Sequence, residues 1–389
     1  MPIHNGLLPR EGFTADPVLN LIGRTALNPM LLLPVYLLAK FTKKGEDLSI
    51  LHRKAFNRFK VLFYLALARY LSKKMSEGVT NNWTDDRYVW RREIAVVTGG
   101  AGGIGGHIVR LLAERDMHVV VLDIQPMTYN AGPKVHYFKC DITSPADLAE
   151  VAKEIRAQIG DPTILVNNAG VARGKTILET TERDLRFTFD VNALAHYHTA
   201  RAFLPAMVAR NHGMVVTVAS YAAWMAVPNM VDYAASKAAA QAFHEGLAAE
   251  LRTRYAAPRV RTVLVNQGYT RTPLFRGYRE DASPFWLPAL EPESVADAVC
   301  RQIFTGRSGH VVAPAAGRTL QLLRALPHWL AYSTRARGQD LMAAWKGRQV
   351  VQDLDAHYTE KEAKEKKEAE REGEREADPG ESTVLVPGN

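Results

Sequence analysis

The chain predicts a doubly wound α/β domain on a parallel sheet, with a helical N-terminal extension and a charged C-terminal tail. Three observations carry this. From Arg92 onward short Val/Ile/Leu runs alternate with helical patterns: IAVVTG, HIVRLLAERD and HVVVLD, then later TILVNNAG, GMVVTVAS and VRTVLVNQG. Near-continuous apolar strands separated by helices belong to a parallel sheet, because crossover helices cover both of its faces. Ahead of Arg92 lie two apolar runs with basic borders, and beyond Glu360 comes the charge-dense EKEAKEKKEAEREGEREADPGES. Four regions follow: 1–91, 92–315, a helical extension over 316–359, and a tail over 360–389 that reads as a solvated helix or a disordered segment.

The chain has 389 residues, 47% of them hydrophobic, enough to bury a sizeable core and too many for a wholly disordered or collagen-like protein. Cys140 and Cys300 are its only cysteines, so no disulfide framework or Cys-rich zinc site is available, and no metal site is expected. The net charge of +8 is unevenly placed: residues 1–92 carry 15 Lys/Arg against 7 Asp/Glu. That excess flanks apolar runs and accompanies no nucleic-acid-binding motif, so a membrane surface is the expected partner and nucleic acid is not.

The first apolar run, Thr25 to Ala39, holds no charge for 15 residues between Arg24 and Lys40, but Pro29 and Pro34 interrupt it. A spanning helix wants roughly 20 apolar residues. The second run, Val61 to Ala68, sits between Lys60 and Arg69 among further basic and aromatic residues. Together they predict a re-entrant or interfacial anchor, or one tilted span plus an amphipathic helix; the alternative is a helical extension packed on the main domain. Gly317 to Trp345 reads as a further amphipathic helix, lying on a membrane or on the domain.

Chemistry enters where IAVVTG runs into TGGAGGIGG, residues 98–106, and on into the helix HIVRLLAER. Gly99, Gly103 and Gly105, with Ile104 among them, leave the backbone free to turn tightly against a pyrophosphate, and the helix N-terminus offers that anion unsatisfied N–H groups. The next strand ends at Asp123, 24 residues beyond Gly99. A carboxylate there accepts hydrogen bonds from the adenine-ribose hydroxyls and repels a 2′-phosphate. Gly100, Ala101, Gly102 and Ile124 supply no Arg or Lys to hold one, so NAD(H) is expected over NADP(H). Tyr233 and Lys237 stand at i and i+4, on one face of a helix. A free phenol titrates near ~10, and a neighbouring ammonium together with an oxidised nicotinamide is expected to lower that value. Ser220 ends the strand GMVVTVAS, at the carboxyl edge where such sheets bind ligands.

TGGAGGIG, Asp123, NNAG at 167–170, Asn192, Ser220 and Tyr233/Lys237, in this order and with 13 residues from Ser220 to Tyr233, resemble the short-chain dehydrogenase/reductase family over roughly 92–315. The resemblance implies a Rossmann-type sheet with the cofactor across its carboxyl edge. It implies Tyr233 as general acid/base, Lys237 on the nicotinamide ribose, Ser220 on the reacting oxygen, and Asn192 holding a water that relays protons from Lys237. Asn168, Ala169 and Gly170 resemble the segment supporting the sheet and adenosine side, and Asp141 the acid that meets the adenine. One departure stands out: Gln267 replaces the family's Pro and Thr270 an aliphatic residue in NQGYTRT, although a main-chain contact of Thr270 to the cofactor would survive.

The segment 273–292, where the family places its substrate lid, holds Phe275, Tyr278, Phe285, Trp286 and Leu287, which suits a lipophilic ligand or a packed interface. Lid and anchor together are similar to the membrane- and lipid-droplet-associated subgroup of retinol and estradiol 17-beta-dehydrogenases. That likeness implies hydride transfer between NAD and a steroid, retinoid or long-chain alcohol. It also implies an endoplasmic-reticulum or lipid-droplet location with the domain facing the cytosol, and a possible homodimer. The rivals are a catalytically silent NAD-binding lipid-surface protein and a reductase of a polar sugar or polyketide.

Overall fold

The computed structural model describes residues 3–366 apart from 5, 7, 131, 281, 282, 360, 364 and 365. Most of the region assigned to the charged tail, 367–389 above all, therefore lies outside the described residues.

Seven strands form one wholly parallel sheet in the order β3-β2-β1-β4-β5-β6-β7. They are β1 (Ile94–Thr98), β2 (His118–Asp123), β3 (Val135–Lys139), β4 (Ile164–Asn167), β5 (Met214–Val218), β6 (Arg261–Gln267) and β7 (Gly309–Ala313). The five central strands are the Val/Ile/Leu runs read from the sequence. Val96, Val120, Leu165 and Val215 point to one face, and Val97, Val121, Val166 and Val216 to the other; all are fully buried. The first face is covered by α6 (Pro145–Gln158), α8 (Ala195–Arg210) and α9 (Val231–Thr253), the second by α5 (Gly103–Ala113) and α10 (Pro292–Ile303). The sequence reading did not single out the edge strands β3 and β7. In β3 only one face meets the core, so its residues are partly or fully exposed and its apolar run is broken. Chain order reverses between β1 and β4, which opens a cleft at the carboxyl ends of the strands.

The N-terminal region is four helices: α1 (Ala15–Arg24), α2 (Pro29–Phe41), α3 (Lys43–Leu51) and α4 (Arg53–Thr80). Pro29 occupies the first turn of α2, where a missing N–H costs nothing, and Asn28 caps that helix by accepting from Met30 N at 3.0 Å. Residues Ala15–Phe41, with a turn after Arg24, are long and apolar enough to cross a membrane, and little of the stretch is buried. α2 meets α4 through stacked Tyr36 and Phe63 rings 4.9 Å apart. Leu31, Leu38, Ile50, Leu51, Val61 and Leu65 remain exposed.

Both ends of this region are pinned to the α/β domain. At its start the Asp16 carboxylate accepts from Ala315 N (2.7 Å) and Ala316 N (3.0 Å), and Ala15 N donates to Phe285 O (2.7 Å). At its end Arg261, fully buried on β6, donates to the carbonyls of Asn81 (2.9 Å) and Thr84 (2.7 Å).

The single helix expected over Gly317–Trp345 is instead a 3₁₀ stretch (Ala315–Arg324), a short helix α11 (His328–Ala336) and a run of turns. Pro327 divides the first two, since it cannot continue a helix from the preceding residue. From Trp345 the chain is irregular, with bends at Val350 and Gln352, then forms a short helical segment from Leu354.

Candidate active site

The glycine loop joins β1 to α5. Gly99 has φ +65°, and a Cβ there would lie 2.7 Å from Ala169 Cα; one on Gly105 would meet Gly99 O at 2.2 Å. At Gly99 and Gly105 the loop thus closes on the β4 terminus and on itself, with no room for a side chain at either position. Asn168 braces it, donating through Nδ2 to the carbonyls of Thr98 and Gly99, both at 3.1 Å.

One continuous cleft is lined by Gly99, Gly103, Ile104, Asp123 and Asp141, by Asn168, Ala169 and Gly170, and by Ser220, Tyr233, Lys237 and Thr270. Every expected site residue except Gly105 and Asn192 therefore faces the same space. Asp123 closes β2, and its two oxygens accept from Ala101 N and Gln125 N, both at 3.0 Å, which fixes the carboxylate beside the glycine loop. Asp141 accepts from Thr143 N at 2.9 Å. Gln267, where the family has Pro, lines the cleft with its buried Oε1 lacking any partner among the described residues. A glycine loop closed on the end of β4, a carboxylate fixed at the end of β2 and an unpartnered buried acceptor together fit a nicotinamide dinucleotide.

At the other end of the cleft, Ser220 follows β5 and receives Ala222 N on its Oγ at 3.2 Å. Tyr233 and Lys237, on consecutive turns of α9, are buried, and Lys237 Nζ donates to Val218 O at 2.9 Å. Burial without a paired anion brings the Lys237 ammonium down to about 8.

The expectation that Lys237 lowers the Tyr233 pKa is corrected here. Burial dominates and pushes the phenol up to about 12, only partly offset by its hydrogen bond with Ser220. Lys237 Nζ lies 5.8 Å from the ring centroid and is engaged by Val218. Asn192 does not line the cleft. It sits in a π-helical turn (Asp190–Leu194) between α7 (Glu182–Phe189) and α8, with Oδ1 accepting from Val171 N (2.8 Å) and Nδ2 donating to Val171 O (2.9 Å) and Ser236 Oγ (3.0 Å). Its amide is thus spent on the protein, close behind Lys237.

The expected lid divides. Phe275 lines the cleft and packs edge-on against Tyr233 with centroids 5.5 Å apart, whereas Tyr278 stacks on Tyr269 at 4.2 Å and packs into a core cluster with Met230 and Met342. Phe285 turns away to pack on Phe13, and Trp286 is half exposed. The sequence reading missed Arg348, Val350 and His357, which reach the cleft from the C-terminal segment. Its only cue was a few large apolar residues, Trp345, Leu354 and Tyr358, in a polar stretch.

Comparisons with known proteins agree with this geometry. A family model for short chain dehydrogenase matches residues 93–283. The chain is 44% identical over 216 residues to dehydrogenase RED2 of Cochliobolus heterostrophus, covering 54% of this chain and 82% of that one. The chain belongs to the short-chain dehydrogenase/reductase family. It is an oxidoreductase of that family with a Rossmann-type fold for NAD(P). It is also 35% identical over 243 residues to human estradiol 17-beta-dehydrogenase 11, covering 60% and 79% of the two chains. Among solved structures, a short chain dehydrogenase from Burkholderia cenocepacia in complex with NADP superposes with a TM-score of 0.53 at 29% identity, over 62% of this chain and 98% of that one.

Proposed function

We propose that this short-chain dehydrogenase passes a hydride between NAD(H) and a lipophilic alcohol or its carbonyl partner, of the steroid, retinoid or long-chain class. The observation that carries the reading is the meeting of Ser220, Tyr233 and Lys237 in one cleft with the glycine loop, beside the apolar side chains of Val171, Val191, Leu274 and Phe275. When bound, the nicotinamide supplies the hydride acceptor or donor and, in its oxidised form, a positive charge.

The chain's own residues handle the proton. The substrate oxygen takes a hydrogen bond from Ser220 Oγ and lies against Tyr233 Oη. In the reductive direction Tyr233, protonated at neutral pH, gives its proton to the developing alkoxide. In the oxidative direction Tyr233 receives that proton as phenolate, a form favoured by positive charge near the ring. Lys237 holds the ribose and, with its pKa near 8, stands ready to return a proton to the tyrosine, with Asn192 fixing the backbone behind it.

Asp123 favours NAD(H) over NADP(H), since a 2′-phosphate would meet its carboxylate. The likeness to estradiol 17-beta-dehydrogenase 11 and the exposed apolar faces of α1–α4 support membrane association at the endoplasmic reticulum or a lipid droplet. Exposed Leu185, Leu194 and Tyr197, around α7 and α8, support a homodimer joined there.

Tyr233→Phe tests the reading: turnover should fall by at least about 10²–10⁴-fold while NADH binding stays near wild type. A variant that keeps the wild-type rate would remove Tyr233 from the chemistry.

A further inference from the structure

Residues 345–359 form a strap across the mouth of the cleft. It leaves from the lid, where Trp345 Nε1 donates to Leu274 O (2.9 Å), Lys346 N to Arg276 O (2.8 Å) and Arg348 N to Pro273 O (2.7 Å). It lands on the opposite wall, where Leu354 is buried among Val171, Phe187 and Val191 and Tyr358 OH donates to Asp190 Oδ2 at 2.8 Å. The two anchorages lie on either side of the cleft, so the segment between them spans it.

The strap brings a positive charge to the adenosine end. Arg348 lines the cleft with Gly102, Gly103 and Thr272, and its Nη2 donates to Gln125 Oε1 at 2.9 Å, two residues beyond Asp123. A guanidinium carries five N–H donors, and this one has a neutral amide oxygen as side-chain partner with no carboxylate in ion-pair range among the described residues. Nearby, His357 Nε2 is buried without a hydrogen-bond partner among the described residues and lies 3.7 Å from Asp141 Oδ2. The α/β domain itself lines this end with two carboxylates, Asp123 and Asp141. A dinucleotide bound there brings phosphates to a wall whose arginine comes from outside the domain.

We propose that Arg348 is a cofactor-phosphate ligand, delivered by the C-terminal strap to a cleft the α/β domain leaves open. The assignment rests on the nicotinamide-dinucleotide reading above. A planar fork with free donors suits a phosphate better than any neutral group.

Full-length wild type, Arg348→Ala and Arg348→Lys should be titrated with NADH and, in parallel, NADPH, following nicotinamide fluorescence at low and high salt. Arg348 is exposed on the strap, so its removal leaves the core intact, and thermal melting checks this. Arg348→Ala should weaken binding by about tenfold or more, the scale of a charge-assisted hydrogen bond, and high salt should narrow the gap. Arg348→Lys should recover part of the loss. A loss shared by both cofactors identifies the diphosphate as the contact, and one confined to NADPH identifies the 2′-phosphate. Wild-type affinity of Arg348→Ala for both would overturn the assignment alone. A wild-type protein that binds neither would overturn the functional reading with it.

Discussion

At the residue scale, the site depends on titratable groups held away from water. Tyr233 and Lys237 move in opposite directions for one reason: burial disfavours whichever form is charged, phenolate for one and ammonium for the other. The sequence shows that the two residues share a helix face, but not how deeply tertiary packing buries them, so it gave no sign of the burial that opposes the lowering of the tyrosine by positive charge. Behind Lys237 the same physics acts on His196, buried with no hydrogen-bond partner for either ring nitrogen among the described residues and brought down to about 3. Its unfolded value is ~6.5, so the unfolded chain binds the proton first as pH falls. Its contribution to stability is therefore complete above about 6.5 and declines toward about 3, with a slope of up to ~1.4 kcal/mol per pH unit. We predict that His196→Leu flattens the acid limb of the unfolding free energy measured by urea titration between pH 7.5 and 5. An unchanged slope would mean the imidazole reaches solvent in the folded state.

At the element scale, what was legible was whatever has a local signature. β1, β2, β4, β5 and β6 are continuous Val/Ile/Leu runs, the glycine loop is a motif, and Tyr233/Lys237 is a helical spacing. The strap has no such signature. It is held by backbone bonds to residues some 70 positions earlier, such as Lys346 to Arg276, and no periodicity announces those. The same holds for the tie between α4 and β6. Arg261 reads as a strand charge, yet it is buried and holds the carbonyls of Asn81 and Thr84 where the N-terminal region joins the domain. Arg261→Met should cost about 2–4 kcal/mol in urea unfolding, because two buried carbonyls lose a charged donor. A loss under about 0.5 kcal/mol, ordinary for a surface position, would show that water replaces the guanidinium there.

At the scale of the whole molecule, the N-terminal helices are pinned at both ends and unsatisfied in between. Lid, α1 and the 3₁₀ stretch after β7 meet at Phe285, Asp16 and Ala315. The apolar faces and the basic excess of residues 1–92 predict binding to anionic vesicles. Full-length protein should float with such vesicles, and the paired change Leu31→Asp and Leu38→Asp, at exposed positions of α2, should abolish flotation without altering the melting temperature. Flotation that survives the pair would place the contact elsewhere on the surface.

The central claim is that this cleft moves a hydride between NAD(H) and a lipophilic alcohol with Tyr233 handling the proton. Its most direct test is NADH formation from NAD⁺ by full-length protein in detergent micelles, offered steroid, retinoid and long-chain alcohols, with Tyr233→Phe alongside. The account predicts NADH from at least one of these classes and almost none from the variant. NADH that binds while every alcohol stays silent, or a signal that Tyr233→Phe leaves intact, would contradict it.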